Sequence, residues 1–343
     1  MMFVLQHAWA RTSVLTVLLA PLAGLFVLVS GLRRLAFRYG WLQSCSAGVP
    51  VIVVGNITAG GSGKTPLVIW LVKWLSAQGY RPGVVSRGYG GTVQSCVDVQ
   101  LDSPATEVGD EPLLIRIKAD VPVVVGRDRV AAARMLIARH QVDMIVSDDG
   151  LQHYRLHRDI ELAVIDAATG LGNGWPLPAG PLRERPSRLR SVDAVVQVLR
   201  GQGRPMKGLS VNNWHALYTS GEAYRLQAPD EKFPLTALPS RNWLAITGIG
   251  RPQGFFDMLK SHGLKVDTQA FADHHAFHPG DLPAERSVLM TEKDAVKCLG
   301  FAGSDWWAVE LVVAPEAGFI DWLSARLDNN DKTKQRAHLG SER

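Results

Sequence analysis

The sequence predicts an α/β protein, a parallel sheet wound with helices on both faces, and three observations carry that prediction. Short apolar runs recur: Val51-Ile52-Val53-Val54, Val84-Val85, residues 121–125, Met144-Ile145-Val146, Leu162-Ala163-Val164-Ile165 and residues 192–198. Helix-like stretches lie between them, and strands that alternate with helices build parallel sheets buried on both sides. The join between the first run and the helix-like Leu67-Val68-Ile69-Trp70-Leu71-Val72 is Gly60-Gly61-Ser62-Gly63-Lys64-Thr65, the composition of a phosphate-binding loop between strand and helix. After a Gly/Pro-containing break at 201–208 and a polar, alternating stretch at 209–226 that reads as a β ribbon, the alternation starts again at Trp243-Leu244-Ala245-Ile246-Thr247. The expected architecture is therefore a P-loop NTPase-like parallel-sheet domain and a smaller α/β domain joined by a β ribbon, with a hydrophobic membrane helix at the N-terminus.

That helix comes first. Residues 14–29 are nearly all Leu, Val, Ala and Phe, interrupted by Pro21 and Gly24, and no charge falls between Arg11 and Arg33. The length suits a membrane span, and a helix lying in the interface and broken at Pro21 is the other reading. Arg33, Arg34 and Arg38 follow at once and place the rest of the chain on the cytoplasmic side. Trp9, Tyr39 and Trp41 flank the run as interfacial aromatics do. A cleavable signal peptide fits less well, because the arginines lie on the wrong flank.

The division that follows is 1–40 for this helix, 41–205 for the P-loop domain, 206–240 for the ribbon, 241–327 for the second α/β domain and 328–343 for a charged, apolar-poor tail expected to be disordered. In the first domain, helices are expected from the phosphate loop to about residue 78 and over 128–139; in the second, over 254–262, with strands at 288–290 and 307–311.

The phosphate loop carries the chemistry. Its glycines let backbone N–H groups curl round a phosphate, Lys64 reaches the β- and γ-phosphates, and Thr65 offers a hydroxyl to Mg²⁺. Thr58 stands where the common pattern has glycine. Ala59 stands where ATPases that dimerise over their nucleotide carry a signature lysine. The nucleotide-binding set is thus Thr58, Ala59, Gly60, Gly61, Ser62, Gly63, Lys64 and Thr65, with a nucleoside triphosphate and Mg²⁺ as the expected ligands.

In a parallel sheet, active groups gather at the carboxyl ends of the strands. Ser147-Asp148-Asp149-Gly150 ends one such strand, where P-loop proteins hold a metal-organising carboxylate. Adjacent residues of a strand point apart, so one aspartate is expected on Mg²⁺ and the other on Lys64 or water. Asp110 opens a helix and reads either as its N-cap or as a carboxylate able to take a proton from an attacking hydroxyl. Asp273-His274-His275-Ala276-Phe277-His278 is a histidine cluster. His274 and His278 have helical metal-ligand spacing, whereas a histidine positioned by a carboxylate suits acid/base work. Arg87, within Ser86-Arg87-Gly88-Tyr89-Gly90, and Arg183, within Gly180-Pro181-Leu182-Arg183-Glu184, offer planar forks for phosphate.

Bulk properties narrow the class. A formal charge of +5 over 343 residues suits an anionic surface or substrate and does not call for nucleic acid. Cys45, Cys96 and Cys298 have no CxxC spacing, which excludes a zinc or disulfide framework.

Taken in order, Gly55-Asn56, the loop from Thr58 to Pro66, Ser86-Arg87-Gly88-Tyr89-Gly90, Gly109-Asp110-Glu111-Pro112, Asp148-Asp149-Gly150-Leu151-Gln152-His153, Gly180 to Glu184, Asp273-His274 and Thr291-Glu292-Lys293-Asp294 strongly resemble the tetraacyldisaccharide 4'-kinase family, the lipid A 4'-kinases of Gram-negative inner membranes. The likeness covers about residues 10 to 325. It implies transfer of the ATP γ-phosphate to the 4'-hydroxyl of a tetraacylated glucosamine disaccharide 1-phosphate, giving lipid IVA. It further implies Asp110 as the base paired with His274, Asp148 and Asp149 in the metal and lysine network with Thr65 and Asp148 on Mg²⁺, and Arg183 and Glu184 on the catalytic rim. The implied partners are the lipid substrate and the cytoplasmic leaflet of the inner membrane, with no nucleic acid and no protein partner. His275 stands beside His274 as an alternative.

Two other readings start from the same loop. A P-loop GTPase or metal-delivery ATPase would use the histidines as cargo ligands, but Thr291-Glu292-Lys293-Asp294 has its lysine one place late for guanine reading and there is no cysteine pair. A membrane-tethered nucleotide switch has no use for both an Asp110-type base and a second domain bearing a histidine.

Overall fold

The computed structural model describes residue 9 and residues 11–201, 203–210, 212–283 and 285–341. Its strands are β1 Val51–Gly55, β2 Pro82–Ser86, β3 Val97–Asp98, β4 Val123–Val125, β5 Met144–Asp148, β6 Ile160–Asp166, β7 Ala194–Arg200, β8 Asn213–Arg225, β9 Ala228–Phe233, β10 Trp243–Thr247, β11 Val266–Ala270, β12 Val288–Thr291 and β13 Trp306–Pro315. Among the described residues they form one sheet in the order β11-β10-β12-β13-β8-β7-β6-β1-β5-β2-β4-β3, with β9 on β8. Pairing is parallel from β7 through β6, β1, β5 and β2 to β4, and again from β11 through β10 and β12 to β13. The seam is β8, parallel to β7 on one edge and antiparallel to β13 on the other.

Because β1, β5, β2 and β6 run the same way, the phosphate loop, Asp148, Ser86 and Asp166 all emerge at one edge of the sheet. The strands are apolar throughout because both faces are covered. Ile52 and Val54 face the helix Lys64–Ala77 through Leu67, Val68 and Leu71, while Val51 and Val53 face the helix Arg129–His140 through Val130, Ala133 and Leu136. A second core surrounds Trp243, Ala245, Phe256, Leu259 and Trp307. The edge strand β11 is mostly exposed and its residues Val266 to Ala270 are largely polar, so periodicity gives no sign of it.

The N-terminal helix runs Val14–Arg38 without a break at Pro21, roughly 37 Å at 1.5 Å per residue, longer than a hydrocarbon core of about 30 Å. Only Thr16 and Ala23 of it are buried, and Val17, Leu18, Leu22, Leu25, Leu28 and Val29 face outward. The interfacial break expected at proline is thus not the form observed. Both ends are fastened to the body. Trp9, read as an interfacial aromatic, instead donates its indole N–H to the Pro178 carbonyl at 3.1 Å, Arg34 donates to Ser191 Oγ at 2.7 Å, and Phe37 packs on Tyr154 with ring centroids 5.9 Å apart.

The last helix, Ala317–Ser341, returns from the second half to the first and buries Phe319, Leu323 and Leu327 in the P-loop core, Phe319 lying 5.9 Å from the Trp70 ring. The segment from Asp328, expected to be disordered, continues this helix through Ser341. It lacks proline, has glycine only at 340, and extends a helix already nucleated by packing, so polarity alone does not end it.

Candidate active site

The loop after β1 is shaped by two glycines in left-handed backbone, Gly60 at φ 101° and Gly63 at φ 80°, where a side chain would be strained. Gly63 caps the helix Lys64–Ala77, whose first free N–H groups point into the loop. Lys64, Thr65 and Ser62 are buried there. Thr58 bridges Leu182 and accepts from Asn56 Nδ2 at 3.2 Å, and the Ala59 amide donates to Pro181 O at 2.7 Å. This end of the loop therefore fixes register with the Pro181–Leu182 segment, and the Ala59 N–H is already engaged.

The two aspartates part because β5 ends at Asp148 and the chain turns through left-handed backbone at Asp149. Asp149, at φ 47°, turns toward Lys64 Nζ at 3.5 Å and takes Arg183 Nη1 on both oxygens at 2.9 Å. Burial would raise its pKa, but Lys64 and Arg183 win and hold it near about 2. Asp148 is fully buried, accepts Ser86 Oγ at 3.1 Å, and is pushed upward by burial and by its acidic neighbours Glu111 and Asp149. Its Oδ1 has no hydrogen-bond partner, nor has the buried Ser62 Oγ. A buried carboxylate oxygen left over beside Lys64 and Thr65 is what a hard, oxygen-seeking cation needs, so these residues fit Mg²⁺. Arg129, unnoticed in the sequence, lies beneath. Burial lowers it to about 10 against the pull of Asp148 and Asp149, and it braces the turn through the carbonyls of Gly126 and Asp148.

Arg183 and Glu184 form the rim. Glu184 accepts from Gln152 Nε2 at 2.8 Å and from the Tyr154 hydroxyl, and Gln152 also holds the Asn56 carbonyl at 3.0 Å. Arg87 stays exposed; its segment contributes Ser86 on Asp148 and Tyr89, whose ring meets His274 edge-on at 5.1 Å.

Across the cleft, His274 Nδ1 lies 2.9 Å from Asp110 Oδ2 and 3.1 Å from Oδ1. Asp110 is not the N-cap. Gly109 takes that place at φ 93° with no side-chain bond, and the buried Asp110 carboxylate accepts the Glu111 amide on Oδ1 at 2.9 Å while still facing the histidine. Burial raises Asp110, but the His274 hydrogen bond and the Lys293 charge outweigh it and the net shift is downward. Burial lowers His274, the bond to Asp110 outweighs it, and the net shift is upward. His274 occupies left-handed backbone at φ 60°, uncommon for a residue with a side chain and a mark of functional constraint. His275 points elsewhere, to Asp281 Oδ2 at 3.0 Å. The segment from Phe271 to His278 is not helical, so the i, i+4 spacing of His274 and His278 builds no metal site.

Asp110, Glu111 and His274 bring ligand atoms within 4.8 Å of one another, as a metal site would. The Lys293 ammonium already serves as the cation there, 3.1 Å from Glu111, 3.3 Å from His274 Nε2 and 3.8 Å from Asp110 and Asp273. Burial lowers Lys293 but these carboxylates raise it well above the ordinary value. Beside the pair a cavity of about 530 Å³ opens, lined by Leu101, Pro104, Leu113, Ala276, Phe277 and Phe301.

The back of the phosphate loop is gripped too. Tyr218 donates its hydroxyl to Gly63 O at 2.7 Å, and Arg251 donates to Gly61 O at 3.1 Å and to Asp166 Oδ2, which Arg200 shares.

A glycine-cradled lysine, a buried metal-type carboxylate and a carboxylate–histidine pair closing from the opposite half define a P-loop phosphotransferase. A profile of the tetraacyldisaccharide-1-P 4'-kinase (LpxK) family matches residues 15–328, and the chain belongs to that family. It is 64% identical over 327 residues to the tetraacyldisaccharide 4'-kinase of Thiobacillus denitrificans, covering 95% of this chain and 99% of that one. To the enzyme of the same name from Chromobacterium violaceum it is 46% identical over 332 residues, covering 94% and 97%. The crystal structure of LpxK from Aquifex aeolicus in complex with ATP superposes with a TM-score of 0.80 at 27% identity, over 92% of this chain and 99% of that one.

Proposed function

We propose that the protein transfers the γ-phosphate of ATP to the 4'-hydroxyl of tetraacyldisaccharide 1-phosphate, forming lipid IVA at the cytoplasmic face of a bacterial inner membrane. The observation that carries this reading is the Asp110–His274 pair, a buried ionised carboxylate held by a histidine from the opposite half of the molecule, at the mouth of a nucleotide loop.

The phosphate loop holds the triphosphate, with Lys64 on its terminal phosphates. Thr65 and Asp148 would hold Mg²⁺, which when bound would supply charge neutralisation for the transferring phosphate. Asp110 accepts the proton as the sugar oxygen bonds to the γ-phosphorus and the bond to the bridging oxygen of ADP breaks. Its depressed pKa keeps it ionised at neutral pH. Phosphoryl transfer asks the protein chiefly for alignment and charge neutralisation, and a modest base in line is enough. His274 and Lys293 hold that base in line. Asp149 and Arg183 keep Lys64 oriented, and Glu184 supports the rim through Gln152 and Tyr154.

The outward apolar face of the helix Val14–Arg38 supports insertion in the bilayer, and Arg33 and Arg38, both exposed beyond it, meet anionic headgroups. The lipid's acyl chains then stay in the membrane while its sugar enters the cleft.

The test is incubation of the purified protein with labelled ATP, Mg²⁺ and the disaccharide 1-phosphate lipid, comparing wild type with Lys64→Ala, Asp110→Ala and His274→Ala. Phosphate is expected on the lipid, and each substitution lowers kcat by on the order of 10² or more. No labelled lipid from wild type, or full turnover by Asp110→Ala, rejects the reading.

A further inference from the structure

The loop leaving β10, Gly248-Ile249-Gly250-Arg251, touches both halves of the site. At its start, the Gly248 carbonyl accepts the His274 amide at 3.1 Å, and the Gly248 amide donates to the fully buried Asp294 at 3.1 Å. A Cβ on Gly248 would lie 3.0 Å from the Ala272 carbonyl, so this end packs backbone against backbone on the histidine's own turn. At its other end, one nitrogen of Arg251 donates to the Gly61 carbonyl at 3.1 Å and to Asp166 Oδ2 at 2.5 Å. Gly61 belongs to the phosphate loop and Asp166 to the carboxyl end of β6, so both lie in the first half. Asp166 is 2% exposed and held by Arg200 as well, whereas the Arg251 side chain is 45% exposed. A half-exposed ion pair on a fixed carboxylate costs little to break, which suits a contact remade at every closure.

We propose that Arg251 is a positioning residue that sets the phosphate loop in register with His274, so that its docking on Gly61 and Asp166 and the closing of His274 on Asp110 occur as one event. The proposal builds on the phosphotransfer reading and extends it to a residue outside the base pair and the nucleotide contacts. Only two residues, Ile249 and Gly250, separate the two attachment points, so the loop transmits position with little slack.

A double-mutant cycle separates this role from a merely structural one. In the lipid-phosphorylation assay, Arg251→Ala is expected to lower kcat by about 10-fold or more while KM for ATP changes by less than about 3-fold. In a His274→Ala background the same change should lower kcat by less than about 2-fold, because the partner it positions is gone. Equal losses in the two backgrounds overturn the proposal. Amide hydrogen exchange on the nucleotide-free full chain gives a readout independent of activity. Arg251→Ala should speed exchange at residues 60–62 and 273–275 together, and Arg251→Lys should restore part of the protection. Unchanged protection in either segment, or loss spread over the whole chain in both variants, also overturns it. A wild type that leaves lipid unlabelled rejects the phosphotransfer reading, while the exchange comparison still decides the role of Arg251.

Discussion

His274 Nδ1 sits 2.9 Å from Asp110 Oδ2, a contact between residues 164 positions apart that exists only because two sheet halves face one another. Its pH dependence follows from opposite shifts. The His274 pKa is raised above 6.5, so its contribution to stability is complete below that value and is lost as pH climbs through the raised one. The Asp110 pKa is depressed below 3.8, so its contribution is complete above that value and is lost as pH falls through the depressed one. The melting-temperature advantage of wild type over His274→Ala should therefore be full near about pH 6 and shrink by about pH 9. A gap constant across that range would show that the pair is not ionic.

Lys293 balances three carboxylates. Lys293→Met removes a charge that depresses Asp110, so the Asp110 pKa should rise and the acid limb of kcat/KM against pH should move to higher pH. Turnover at neutral pH should fall by roughly 10-fold or more, since Asp110, Glu111 and Asp273 are left without their common partner. An unmoved acid limb would leave Lys293 with no part in tuning the base.

Gly109 sets where Asp110 begins its helix. At φ 93° a side chain is strained, and a Cβ would stand 2.8 Å from the Tyr89 carbonyl. Gly109→Ala should cost about 1–3 kcal/mol of stability and lower kcat well beyond what the lost stability explains, because the carboxylate shifts off the histidine. Denaturant titration and turnover on one preparation check both parts.

The helix Val14–Arg38 exposes Leu18, Leu22 and Leu25. Replacing Leu18 and Leu25 together by Asp should move the protein from the membrane to the soluble fraction in flotation assays, since each acid at bilayer depth costs about 2.5–3.5 kcal/mol. Retention with the vesicles would assign binding to the basic residues instead.

The P-loop and the strands around it were readable because each is local: an apolar run, a glycine turn and a helix face in sequence. That Asp148 and Asp149 part was expected from strand alternation, but the cause is the left-handed turn at Asp149 just past β5, and their partners Ser86, Lys64 and Arg183 come from three separate segments. Asp110 was expected either to cap or to act as a base, and the structure removes the first reading because Gly109, free to take φ 93°, occupies the cap. Choosing His274 over His275 needed tertiary facts, since each has a carboxylate partner and only one faces the first half. The roles of Lys293, read in the sequence only as part of a motif, and of Arg251 stayed hidden because Glu111, Gly61 and Asp166 are remote in sequence, and Arg129 stayed hidden because nothing local marks a helix arginine as buried. The strand β11 stayed hidden because an edge strand with mostly exposed side chains needs no apolar alternation.

The seam strand β8 has a mechanical consequence. It is laddered to β7 on one side and β13 on the other, and the β13 register shifts between Val309 and Leu311. The nucleotide half and the histidine half are thus laddered to the same strand, with that one irregular step between them. Any parting of the histidine from the aspartate has to be taken up within this shared ladder.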